Sequence, residues 1–329
     1  ATSRLKRMLN LNPDEIYDQV VAIDKESKLY FNRPLSNIVF MDKKMAEQMN
    51  NPNPLASYFR QAKLYTPLPS KGRFYEEGSI DWPATGELAI YPMTAKDEMA
   101  MRTPDALLNG QSTVEVLKSC VPAIRDPWEI PSLDMDVLLI SIRMASYGNM
   151  MSVEPKCPKC QNEMAYDIDL RNVLARTLSA EWHDHTEIND LTIGLRPLSY
   201  KQINEKSLRT FEEQKLISTL EAAEEVDMAV KMQRFNESFK FLTSLTMDTV
   251  IDQVDFIKLP DGTIVSDRAH IKEFVENADT AIYRKISEAL NKNKERFDVA
   301  PMNIECDECG NKFEQTLEFD AVNFFELNS

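Results

Sequence analysis

The 329-residue chain is 43% hydrophobic, enough for a sizeable core, and carries a formal net charge of −15 with a pI near 4.8. Binding driven by neutralising phosphates needs clustered Lys and Arg, so this balance argues against nucleic acid as the main partner. Eight glycines, with neither GxGxxG nor GxxxxGK[ST] among them, argue against a familiar nucleotide loop, and the longest apolar run, around Val137–Ile140, falls far short of the ~20 residues that span a bilayer.

Residues 1–86 read as an extended N-terminal arm. Pro52, Pro54, Pro67, Pro69 and Pro83 interrupt continuous secondary structure, leaving room for short helices near 13–24 and 42–50. The basic start has no apolar core of signal-peptide length, so the expectation is an intracellular product. Leu64, Tyr65, Leu68, Phe74 and Tyr75 supply apolar anchors without a helical period, and the expectation is that they dock on an outside surface.

From residue 87 the chain reads as two related units. Glu87-Leu-Ala-Ile-Tyr-Pro-Met-Thr94 and Leu191-Thr-Ile-Gly-Leu-Arg-Pro-Leu-Ser199 share an alternating strand, a proline, an apolar residue and a hydroxyl residue suited to cap a helix. In the first unit, 87–170, helices are predicted near 113–120 and 133–147, the latter started by Ser132 with Asp134 and Asp136 in its first turn. Residues 171–190 read as a connector. The second unit, 191–320, is longer: a helical insert from about 199 to 246, a hairpin over 256–265 turning at Asp261-Gly262, and a helix near 278–293. Residues 321–329 form a tail. The predicted fold class is α+β, with internally duplicated strand-helix units joined by a shared four-cysteine zinc ribbon.

Four of five cysteines lie in two CxxC turns. Cys157-Pro-Lys-Cys160 and Cys306-Asp-Glu-Cys309 align without a gap through following strands in which Met164, Ile168 and Leu170 correspond to Phe313, Leu317 and Phe319. Close pairs in a large, core-rich chain fit metal binding better than disulfides. A CxxC turn offers two thiolates from one short loop, so the two turns together complete one tetrahedral Zn²⁺ shell. A site of four cysteines has no open position, so zinc is expected to be structural, one per chain. Neither turn has the strand-to-helix context of a redox CxxC. Cys120 reads as a small core residue. His183 and His185 fall on an exposed strand, and His270 reads as a surface residue. The acidic run Glu221–Asp227 reads as a solvated helix face, and the many methionines as adaptable core, some of them suited to an interface.

Taken in order, Leu68-Pro-Ser-Lys-Gly-Arg-Phe-Tyr75, Gly86–Glu98, the helix ending near Gly148 and Cys157-Pro-Lys-Cys160 resemble the baseplate-hub protein family of contractile-tailed, T-even-like bacteriophages, over about 64–320. The resemblance implies a structural or assembly component of the tail baseplate, made in the bacterial host cytoplasm and located in the virion tail. It implies other baseplate or tail proteins as partners and offers no catalytic residues to carry over; the short apolar runs and acidic charge set the expectation of no membrane contact and no direct nucleic acid, and no small-molecule substrate is expected. The rival reading is a zinc-ribbon nucleic-acid module, which needs basic or aromatic residues around the knuckles; Glu305, Asp307 and Glu308 stand there instead.

Overall fold

The computed structural model describes residues 53–101, 110–222, 227–299 and 301–315. The expected helices near 13–24 and 42–50, Leu317, Phe319 and the tail lie outside the described residues. The chain divides after Phe59 into two units. The described part of the first holds a 3-10 turn, Ala56–Tyr58; everything below belongs to the second.

That unit is α+β. Antiparallel β1 (Leu64–Pro67) and β2 (Glu87–Ile90) pair from Leu64↔Ile90 to Pro67↔Glu87. After Pro92, Thr94 opens α1 (Ala95–Met101) as a capping box: Asp97 N donates to Thr94 Oγ1 at 3.3 Å, and Thr94 N donates to Asp97 Oδ2 at 2.7 Å. Helix α2 (Gln111–Cys120) follows, then α3 (Ser132–Tyr147), whose residues Val137 to Ile142 are all buried. Leu88, Ile90, Leu117, Cys120, Leu138 and Ile140 join in the first core.

Three of the five anchors expected to dock elsewhere belong to this core, while Tyr65 stays 61% exposed and Phe74 meets Trp182 edge-on. Leu68 is buried in the core and Leu64 and Tyr75 pack against it, so the arm cannot extend to residue 86. The reason is long-range strand pairing: β1 finds β2 across a loop whose prolines stop helices but do not stop an edge strand. Ser132 is the first helical residue of α3 rather than its cap, because Pro131 holds the cap position. Asp134 lies in the first turn of α3 as expected, and is buried there.

Strands β3 (Met150–Val153) and β4 (Tyr166–Asp169) form an antiparallel pair. The stretch expected as a connector instead begins with α4 (Leu170–Ser179): Asp169 caps it by accepting from Arg171 N at 3.0 Å, and Leu170 and Leu174 turn into the first core. Leu170 is therefore helical, not the end of a strand. Strand β5 (His185–Ile188) turns at Asn189 into β6 (Leu191–Leu195), so the second half starts before residue 191.

A second capping box follows, with Ser199 N donating to Gln202 Oε1 at 2.9 Å and Gln202 N to Ser199 Oγ at 3.3 Å. It opens α5 (Tyr200–Ala222), and α6 (Met228–Asp252) returns beside it, with Lys206 paired to Asp252 at 2.8 Å. Strands β7 (Val254–Lys258) and β8 (Ile264–Val265) complete the sheet β5-β6-β7-β8, turning at Gly262 as expected. Helix α7 (Arg268–Asn277) precedes α8 (Thr280–Phe297), where Asp279 is the cap, accepting from Ile282 N at 2.9 Å, rather than a first-turn residue. Ile193, Leu195, Val254, Ile257, Ile271 and Ile286 form the second core.

The two cores meet at the second corner: Ser132 N donates to Leu198 O and Tyr200 N to Ile130 O, both at 2.8 Å, while Trp128 stacks on Tyr200. At Gly194 the β6–β7 register shifts, and a Cβ there would lie 2.3 Å from Phe256 Cε1. Gly194→Ala is expected to destabilise by ~1–3 kcal/mol through this overlap. Denaturant unfolding measures it; an unchanged midpoint would mean that Phe256 moves aside freely.

Candidate metal centre

Both CxxC turns sit in antiparallel hairpins of the same register. The first contains the bridge Lys156↔Glu163, and the second runs from β9 (Met302–Glu305) to β10 (Lys312–Gln315) with Glu305↔Lys312 at the corresponding place. Each pair is also an ion pair, with the charges exchanged between the hairpins: Lys156 Nζ lies 3.0 Å from Glu163, and Lys312 Nζ 3.3 Å from Glu305. These exposed pairs add little stability, but they mark equivalent positions.

Within each turn the backbone closes in the same way. Cys157 N donates to Asn162 O and Gln161 N to Cys157 O; Cys306 N donates to Asn311 O and Gly310 N to Cys306 O, all at 2.9 Å. The closing residue must turn left-handed, and Gln161 and Gly310 both have φ 61°. Glycine adopts that conformation without penalty, whereas a residue with a Cβ is strained. Gln161→Gly should therefore stabilise by ~0.5–1 kcal/mol, and Gly310→Gln, with open space around its Cβ, should destabilise by a similar ~0.5–1 kcal/mol. Melting curves of the two variants check the pair; shifts of the same sign would refute the reading.

The sequence places the pairs 146 and 152 residues apart, and the fold brings them together. Cys157 Sγ is 3.7 Å from Cys309 Sγ, Cys160 Sγ is 3.5 Å from Cys306 Sγ, and all four sulfurs lie within 4.8 Å of one another. Disulfides need ~2.05 Å between sulfurs, so these are four separate thiols. Four sulfurs ~2.3 Å from a central ion would stand ~3.8 Å apart, close to the observed spacing. Cys157 and Cys306 are buried, Cys309 is half-buried and Cys160 exposed. Met164 and Ile304 pack beneath, with Met302 and Phe313 at the margin, in a small third core.

The thiols are electrostatically unequal. The N–H groups of Cys160 and Lys159, with the neighbouring thiols, pull the Cys157 thiol down to about 6. At Cys160 the Asn162 N–H favours the thiolate, but the surrounding sulfurs of Cys309, Cys306 and Cys157 push it up to about 12. One negative charge is welcome there and four repel, which is the environment a divalent cation resolves. The donor set fits a closed, soft, tetrahedral metal site.

The other sequence candidates lie elsewhere. Cys120 is fully buried in the first core, its thiol pushed up to about 12 by burial and by Asp97, with Arg60 Nη1 3.7 Å from the sulfur. His183 binds Asn293 through its backbone, and the His185 ring lies 2.8 Å from Asp184. His270 stands 3.7 Å from Asp267 on the surface. Among the described residues, the metal-capable cluster is the four cysteines, and no helix is long and apolar enough to cross a membrane.

A buried polar centre escapes the sequence reading. Asp134, fully buried, accepts from Ser70 N at 2.9 Å, from Ser70 Oγ at 2.5 Å and from Tyr75 Oη at 3.0 Å. Burial raises its pKa to about 6, against the pull of those donors, and burial followed by Asp134 itself raises Tyr75 well above the usual tyrosine value. This clamps the 68–75 loop to α3.

Residues 68–326 match the family model for T4 bacteriophage base plate protein. Shorter stretches resemble proteins described as probable dual-specificity RNA methyltransferase RlmN. That of Flavobacterium psychrophilum is 40% identical over 133 residues, 40% of this chain and 35% of that protein. That of Christiangramia forsetii is 74% identical over 53 residues, 16% of this chain and 14% of that protein. The chain thus spans about a third or less of the length of these curated relatives. No solved structure matches.

Proposed function

We propose a structural role for this chain, which belongs to the T4 bacteriophage base plate protein family: a component or assembly factor of the tail baseplate, working through protein contacts on a body closed by one structural Zn²⁺. The match over residues 68–326 carries the baseplate part of this reading. The four converging sulfurs support the metal part, and zinc is favoured by an all-thiolate, tetrahedral set without an open position. Such a site leaves no place for a metal-bound water, which supports a non-catalytic role. Other tail proteins are the proposed partners and the virion tail the proposed location.

We also infer an internal duplication. Each half runs strand pair, capping-box corner, two packed helices, a further helix, then a CxxC hairpin. In this alignment α5 and α6 are lengthened counterparts of α1 and α2, so the inserted elements are β7, β8 and α7 rather than the helices alone. The common hairpin register and left-handed closing residues support it. Residues 1–59 are the proposed attachment arm, shortened from 1–86 by the packing of 64–75.

The methyltransferase relatives favour a second reading, contact with RNA. The first knuckle offers exposed Lys156 and Lys159, while the second offers Glu305, Asp307 and Glu308. The deciding experiment is fractionation of infected cells with elemental analysis of the purified chain. Co-migration with baseplates or their intermediates and one zinc per chain support the proposal. Co-migration with RNA, or two metals per chain, would replace it.

A further inference from the structure

Helices α5 and α6 extend away from the packing that holds their body ends. In α6, Leu245, Val250 and Ile251 are buried, but between Met228 and Leu242 Ser238 is the one buried residue; in α5 no described side chain is buried. An αα-hairpin that needed only itself would be polar on its outer face. Here Met228, Met232 and Phe239 stand 73%, 55% and 62% exposed.

These three residues, with half-buried Phe235 and Leu242, are spaced 4-3-4-3 along α6. That is the seam of a coiled coil, and it requires another helix to cover it. Beside it Lys231 and Thr249 are half-buried and Ser238 and Leu245 buried, so that row faces the helix's own hairpin; half-buried Phe235 and Leu242 sit on the border, and Met228, Met232 and Phe239 give the seam its outward side.

We propose that the outward seam pairs, antiparallel, with the same seam of a second copy of this chain, forming a dimer through α6. Charge selects this occupant. The chain carries −15, yet α6 is balanced, with Lys231, Arg234 and Lys240 against Glu237, Asp248 and Asp252. α5 is balanced as well, with Lys201, Lys206, Arg209 and Lys215 against Glu205, Glu212, Glu213 and Glu221. The residues flanking the seam, where like charges would oppose self-pairing and unlike charges would select a foreign helix, are Ala229, Asn236 and Thr243 on one side and Lys231, Ser238 and Leu245 on the other. Lys231 alone is charged.

Geometry completes the case. A twofold near Phe235 puts each body end, around Val250, ~22 Å along the helix from the axis at ~1.5 Å per residue. The two acidic bodies are then carried ~45 Å apart along the helices, well beyond the ~8 Å over which charge is felt at physiological salt. Association through the bodies would confront the full like charge; association through α6 avoids it.

The test uses the full chain in sedimentation equilibrium up to ~100 µM, a range that captures contacts of modest affinity. The expected result is a dimer. Met232→Glu combined with Phe239→Glu should raise its dissociation constant ~30-fold or more, with helix content and metal content unchanged because both side chains are exposed. A second arm reads pairing independently of folding: Asn236→Lys and Asn236→Glu chains should each dimerise less well alone and pair with each other when mixed. A monomer throughout the concentration range, or a dimer indifferent to these substitutions, would overturn the proposal. So would a seam covered by a different protein while the chain alone stays monomeric.

Discussion

Chelating the proposed metal is expected to open residues 154–165 and 301–315 while both larger cores remain folded. The third core is too small to hold the hairpins together: its buried members are Cys157, Met164, Ile304 and Cys306, two of them the proposed ligands. Without a cation, the sulfurs that now lie 3.5–3.7 Å apart lose their common partner, and the closure of a chain segment of about 150 residues is left to that small core and the contact of Asn311 Nδ2 with Cys157 Sγ at 3.9 Å. The first and second cores do not depend on these residues, since their buried members come from other elements. Hydrogen exchange is the suitable measurement. The amides of Cys157, Gln161, Cys306 and Gly310, each bonded at 2.9 Å within a turn, should lose protection ~100-fold or more, while those of α3 and β6 keep theirs. Cys306→Ser should give the same pattern in metal-replete buffer, and acid should release the metal because its ligands must be deprotonated. Retention of full metal and unchanged melting by Cys306→Ser would sink the shared site. Loss of protection throughout the chain would show instead that the metal holds the whole fold.

The parts of this arrangement legible in the sequence are those encoded over a few residues. CxxC spacing determines that two sulfurs converge, and Thr94-x-x-Asp97 and Ser199-x-x-Gln202 carry their capping boxes in full view. The long apolar run of α3 announces a buried helix, and Asp261-Gly262 announces its turn. What stays hidden depends on distant partners or competing periods. Residues 64–75 look like an arm because prolines dominate locally, while β2, which pairs with β1, lies beyond the loop that follows. Leu170 continues an alternation begun at Met164, yet Asp169 is a helix cap and Leu170, Val173, Leu174, Thr177 and Leu178 repeat at helical spacing; the cap is the signal that reveals α4. Nothing near Asp134 reveals that its donors come from residues 59 and 64 positions earlier.

Asp134→Ala is expected to destabilise the chain by ~3 kcal/mol or more, because it leaves the Ser70 amide, the Ser70 hydroxyl and the Tyr75 hydroxyl facing a site that water does not reach. The 68–75 loop should then detach from α3, drawing Leu68 from the first core. Truncation gives the same comparison on a larger scale. A chain beginning at Arg60 keeps β1 and the donors, and should fold; one beginning at residue 87 loses both, and should not. Asp134→Asn separates packing from ionisation. The native carboxyl has its pKa raised from 3.8 to about 6 by burial, so between about pH 4 and 6 the folded state binds more protons than the unfolded one. Stability therefore falls as pH rises through that window, by up to ~3 kcal/mol for this group, and is level above it. Asp136, raised from 3.8 to about 6 by burial and by Asp298, contributes a fall of the same sign, so Asp136→Asn is the control background. In that background Asp134→Asn should lose most stability near pH 4, where it gives up hydrogen bonds to an uncharged carboxyl, and the gap should narrow toward pH 7, where the native chain must bury the charge. Denaturant unfolding at a series of pH values measures the difference, and a gap that widens with pH would mean that the donors from Ser70 and Tyr75 favour the carboxylate by more than burial opposes it.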